Sequence, residues 1–137
     1  MAAPFACDLS VFTPEQRERL RGLVRRVFDA CQTAEELADG YRLRFAAAGV
    51  DDALAPVPIA VAIADWITLE RLCCPCITFA VEFADQRGPI AVRMIGRPGI
   101  KPFLLGEFND KIADKLSRHR LQGRRGLHPA DESRRRA

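Results

Sequence analysis

Residues Pro58 to Phe83 read PIAVAIADWITLERLCCPCITFAVEF, and the passage from helix to strand inside this stretch decides the fold. Pro58 to Cys73 is apolar nearly all round and predicts a helix about 24 Å long at roughly 1.5 Å per residue. Such a helix is normally central, with sheet on one side and another helix on the other. Pro75 cannot sit in a helix interior and pushes the residue before it out of the α region, so the helix should end at Cys73 or Cys74. Ile77, Phe79, Val81 and Phe83 then alternate with Thr78, Ala80, Glu82 and Ala84. Ile90, Val92 and Met94 repeat that period beyond Asp85 to Pro89, which predicts a β-hairpin. Three of the five cysteines, Cys73, Cys74 and Cys76, therefore stand at a helix exit.

Upstream, Thr13-Pro14-Glu15-Gln16 combines an N-cap threonine, a proline at the first helical position and a glutamine at capping-box spacing. An amphipathic helix should begin at Pro14 and end near Cys31, with Leu20, Leu23, Val24, Val27, Phe28 and Cys31 on its apolar stripe. Cys31 reads as a small core residue. After Asp39-Gly40, the alternation of Tyr41, Leu43 and Phe45 with Arg42 and Arg44 predicts a strand over Gly40 to Ala46, and residues 47 to 56 read as a loop. Downstream, Gly96-Arg97-Pro98-Gly99 breaks the hairpin, and Ile100 to about Leu121 has helical spacing with a bend near Gly106 to Asn109. The order is α-β-α-β-β-α. It predicts an α+β fold with a small three-stranded, mostly antiparallel sheet packed with helices. A single globular domain over residues 1 to 117 is expected, followed by a basic, disordered tail over 118 to 137.

The composition supports this reading and removes alternatives. A chain of 137 residues, 48% apolar and 28% charged, has the length of one domain with an ordinary core, which excludes fibrous and acidic disordered classes. The net charge of +3 belongs to the tail, whose seven arginines and two acids leave 14 basic and 16 acidic residues, or −2, for the rest. Scattered arginines without interleaved aromatics are a weak signal for nucleic acid. Met1 to Thr13 has neither a basic start nor a long apolar run, so it does not read as a signal peptide. The apolar stretch from Ala53 to Leu69 is interrupted by Pro56, Pro58 and Asp65 and is too short to span a membrane. A cytoplasmic protein is expected. There, an odd number of cysteines points to free thiols, metal ligands or a redox pair rather than structural bridges. A three-stranded sheet with open edges is also consistent with a homodimer.

Glu70 lies three and four positions before Cys73 and Cys74, so a carboxylate and at least one thiol can converge on one helix face. Thiolates are soft ligands that select Cu(I), Zn(II) and, by the same argument, Hg(II) or As(III). Neighbouring thiols suit a linear or trigonal ion better than zinc, which usually takes four ligands, and the second half of a zinc motif is missing. Cys7, in the short apolar segment Pro4 to Cys7, is the natural further ligand if that segment returns along the sheet or over the helix end. The two histidines, His119 and His128, read as exposed residues outside the site. An alternative is a thiol-based oxidoreductase, because Cys73-Cys74-Pro75-Cys76 also satisfies Cys-x-Pro-Cys, with Cys76 as resolving thiol. In a thioredoxin that motif opens a helix; here it closes one, and the negative helix end disfavours a thiolate unless a metal or Arg71 compensates.

Trp66 to Pro75, the aromatic strand after it, Gly88-Pro89-Ile90 and Gly99 to Leu104 resemble a family of small bacterial proteins of uncharacterised activity. That family shares an Asp-Leu-Ser segment before a Thr-Pro-Glu-Gln-Arg helix, matched here by Asp8 to Ser10 and Thr13 to Arg17. The resemblance covers most of residues 5 to 108, and its most specific part is Glu-Arg-x-Cys-Cys-Pro. It implies Cys7, Glu70, Cys73 and Cys74 as the family-like positions. Cys76 departs from it, since phenylalanine is expected there. The sequence thus predicts a protein that binds a soft metal or metalloid ion through Cys7, Cys73 and Cys74, with Glu70 as oxygen ligand or proton acceptor.

Overall fold

The computed structural model describes residues 5 to 125, the side chains of 122 to 125 excepted. After a 3₁₀ turn at Leu9–Val11, helix α1 spans Pro14–Ala30. Its start is the expected one: Thr13 accepts from the Gln16 N–H, Gln16 accepts from the Thr13 N–H, and Pro14 opens the helix. Strands β1 (Cys31–Leu37) and β2 (Gly40–Phe45) follow, then a single turn α2 (Val50–Ala53) and helix α3 (Ile59–Cys73). Strands β3 (Thr78–Phe83) and β4 (Ile90–Ile95) form the expected hairpin. Helices α4 (Ile100–Glu107) and α5 (Lys111–Arg125) realise the expected bend, which falls at Phe108 to Asp110 with Asn109 in the left-handed region.

The sheet has four strands, in the order β1-β2-β4-β3 with every neighbouring pair antiparallel. The expectation of three is corrected by β1, which leaves α1 directly at Cys31 and turns back through Ala38 and Asp39 to pair with β2. Cys31 is therefore a strand residue that also closes α1, its N–H bonding the Val27 carbonyl. It is buried in the core as expected. Gly40 lies so close to β4 that a Cβ there would stand 1.9 Å from the Met94 carbonyl oxygen. Only glycine fits that approach.

One face of the sheet is apolar and register-matched. Tyr41 opposes Met94, Leu43 opposes Val92 and Phe45 opposes Ile90, all buried. Phe79 and Trp66 meet edge to face at 5.5 Å, linking α3 to β3, and Trp66 also reaches Phe28 of α1 and Phe108 beyond α4. Helix α1 packs on α3, while α5 lies along β1. Helix α3 has α1 on one side and meets β3 of the sheet on the other, as expected, while its apolar Val61 and Leu72 are exposed. Helix α5 continues through Arg118 to Arg125, so the start of the expected tail is helical. Its remainder lies outside the described residues. Among the described residues, no helix is long and apolar enough to cross a membrane.

Candidate metal centre

The C-terminal end of α3 builds one side of the site. Pro75 stops the helix at Cys73, and Cys74 becomes the cap residue in a non-helical conformation while its N–H still bonds the Glu70 carbonyl at 2.8 Å. Cys73 and Cys74 thus stay beside Glu70, and all three are buried. The two Sγ atoms lie 3.8 Å apart, and Glu70 Oε1 is 3.5 Å from Cys74 Sγ and 4.0 Å from Cys73 Sγ. The other carboxylate oxygen accepts a 3.0 Å hydrogen bond from the Trp66 indole N–H one turn earlier. That bond fixes the carboxylate with Oε1 toward the thiols.

The N-terminal segment supplies the third sulfur. The Asp8 N–H donates to the Cys73 carbonyl at 2.8 Å, so the segment crosses the end of α3, one of the two routes the sequence left open. Phe5 anchors it: the ring stacks on Phe103 at 5.9 Å, and the Arg97 guanidinium lies 4.1 Å above the ring centre. Gly99, at φ 99°, makes room for Phe5, since a Cβ there would come within 2.8 Å of the ring. Asp8 caps the 3₁₀ turn through Ser10, whose hydrogen bonds hold its carboxyl below the usual carboxylate range. The result is that Cys7, Cys73 and Cys74 bring their sulfurs within 4.8 Å of one another.

These sulfurs can be tested against an ion by geometry. A metal about 2.3 Å from each of three sulfurs in a trigonal plane would hold them about 4.0 Å apart. The Cys73 to Cys74 separation of 3.8 Å already fits. Electrostatics among the three thiols are uneven. The contact between the Cys73 and Cys74 sulfurs, in which either can donate, favours the Cys73 thiolate and lowers its pKa, while the same contact, followed by burial, strongly raises that of Cys74. Burial foremost pushes the Cys7 thiol up. A cation among the sulfurs would displace the protons and stabilise all three thiolates. Glu70 is held at about 7, above its ordinary 4.5, chiefly by burial.

The structure brings the four sequence-predicted residues together: Cys7, Cys73 and Cys74 as one group, Glu70 in contact with two of them. Cys76 is half-buried and joins neither ligand group of the described residues. Arg71 is exposed and lines a different cleft with Pro75 and Thr78. His119 is half-buried on α5, outside both groups, and His128 is outside the described residues. Sequence reasoning missed Glu107 at the end of α4. Its carboxylate, with Glu70 and Cys74, forms a second group within 4.8 Å. Only the bend expected near Gly106 to Asn109 hinted at that position, and nothing in the spacing tied it to Cys74.

Comparison with family models, curated proteins and solved structures gave no match to the chain. The functional reading therefore rests on this geometry.

Proposed function

We propose that this chain binds a soft metal or metalloid ion through Cys7, Cys73 and Cys74, with Glu70 as supporting oxygen ligand or proton acceptor. The observation that carries the reading is the meeting of three sulfurs from two distant segments within 4.8 Å. Two adjacent cysteines could be neighbours by chance of sequence. A third is brought to them by its own strap, held by the Asp8 bond and the Phe5 anchor. Three sulfurs suit Hg(II), As(III) or Cu(I); Zn(II) needs a fourth donor, and Glu70 contacts Cys73 and Cys74 without joining the three-sulfur group. The reading is that of a cytoplasmic ion-binding protein, since free thiols persist in a reducing compartment.

The test is titration of the reduced protein with Hg(II) or As(III), followed by thiolate-to-metal absorbance. Saturation with three thiols protected from alkylation is expected, and unchanged absorbance after Cys73→Ser with Cys74→Ser would overturn the reading. The alternative, thiol exchange through the Cys-Cys-Pro-Cys motif, has less support because Cys76 stands outside the sulfur group. A Cys73 to Cys76 disulfide formed on mild oxidation, with turnover, would favour it.

A further inference from the structure

A cleft of about 420 Å³ opens beside the site. Glu70 and Glu107 line it, and none of the three clustered cysteines does. An ion moving inward from this cleft therefore meets two carboxylates before it meets sulfur. The two ligand groups share one residue: Cys74 belongs to the outer set with Glu70 and Glu107 and to the inner set with Cys7 and Cys73. We propose that Glu70, Cys74 and Glu107 form an outer ligand position that passes the ion to the three sulfurs, and that the ion arrives as an anionic complex of a small thiol. This rests on the soft-ion reading above.

The donor chemistry sets the direction. Two oxygens and one sulfur hold a soft ion less well than three thiolates, so the ion gains affinity on moving inward. Because Cys74 is common to both sets, the transfer needs no step in which the protein lets go. The cleft is also lined by Arg21, Arg25 and Lys111, with Arg21 paired to Glu18 at 2.8 Å. Set against Glu70 and Glu107, the three cationic side chains leave the lining with an excess of one positive charge, which favours an anionic complex over a bare cation. In the exchange the bond from the metal to the carrier sulfur breaks and a bond to Cys74 Sγ forms. The thiol proton of Cys74 leaves on the departing carrier thiolate. The second carrier thiolate leaves in the same way with the proton of Cys73 or Cys7 as that sulfur bonds the metal, the proton of the third thiol passes to solvent, and nothing is oxidised or reduced.

The experiment is stopped-flow loading of the full chain with Hg(II), presented in excess mercaptosuccinate or in excess 2-mercaptoethanol. Quenching of Trp66, the single tryptophan and a hydrogen-bond partner of Glu70, reports arrival. Protein-bound mercury is then measured after gel filtration. Glu107→Gln should load from the mercaptosuccinate complex about tenfold more slowly, which corresponds to about 1.4 kcal/mol of barrier, and reach the wild-type final occupancy. Glu107→Asp, which keeps the carboxylate, should recover most of the rate. The wild type should load faster from the anionic complex than from the neutral one, and Arg25→Ala with Lys111→Ala should remove that preference. A wild-type rate in Glu107→Gln, a reduced final occupancy in it, no recovery by Glu107→Asp, or equal wild-type rates from the two carriers would overturn the proposal. Those results leave the sulfur site standing if the wild type still fills. A wild type that takes up no mercury overturns both.

Discussion

Replacing Glu70 by glutamine in the metal-free protein should change how stability depends on pH. The residue is 2% exposed, and burial keeps its carboxyl at about 7 instead of the ordinary 4.5. Below pH 4.5 the proton is present in both folded and unfolded chains. Between 4.5 and 7 the unfolded chain loses it while the folded chain retains it, so the stability contributed by this group falls as pH rises. The gap between the two values, at about 1.36 kcal/mol per pH unit, amounts to about 3 kcal/mol lost by pH 8. Glutamine does not titrate, and its carbonyl oxygen can still accept the Trp66 N–H. The unfolding free energy of Glu70→Gln relative to wild type should therefore rise by about 3 kcal/mol from pH 4.5 to pH 8. Urea denaturation followed by far-ultraviolet circular dichroism, with reductant and chelator present, measures this difference at each pH. A difference constant to within about 0.5 kcal/mol, the scale of an ordinary surface substitution, would refute the assignment of a buried, proton-holding carboxyl.

Trp66→Phe removes the indole donor to Glu70 and leaves a void beside Phe28, Phe79 and Phe108. Denaturant titration should show a loss of about 2 kcal/mol or more, and no loss would contradict the packing described. Phe5→Ala frees the N-terminal strap from Phe103 and Arg97. An aromatic contact of this kind is worth about 0.5 to 1.5 kcal/mol, so competition titration should find ion affinity weakened by up to about tenfold. Unchanged affinity would detach Cys7 from the site. Gly40→Ala places a Cβ against the Met94 carbonyl, and the strand shift it forces should cost about 1 to 3 kcal/mol in thermal or urea unfolding.

The parts of the fold governed by local rules were legible in the sequence. The Thr13 capping box, the stop imposed by Pro75 and the period-2 alternation of β2 and β4 each follow from neighbouring residues and appear where expected. Strand β3 also forms where expected, but its Val81 and Phe83 are exposed instead of lining a buried face. Strand β1 was not legible. No breaker separates it from α1, and Cys31 continues the helical apolar stripe. A register irregularity between Cys31 and Thr33 replaces clean alternation by the buried pair Thr33 and Ala34. Its acids are answered only across space, Glu35 by Arg42 and Glu36 by Lys101.

The site divides in the same way. Glu70, Cys73 and Cys74 were readable because helical spacing places them together. Cys7 was readable as a thiol in an apolar segment, but its position depends on Asp8 meeting the end of α3 and on Phe5 finding Phe103. Glu107 belongs to an element far along the chain, and its approach to Cys74 is a product of tertiary packing alone.

The most direct test of the central claim is stoichiometry by native mass spectrometry of the reduced chain with Hg(II) or As(III), alongside single serine variants of all five cysteines. The account predicts one tightly held ion per chain, weakened by Cys7→Ser, Cys73→Ser or Cys74→Ser and retained in Cys31→Ser and Cys76→Ser. Binding that survives loss of Cys7, or that depends equally on Cys76, would contradict it.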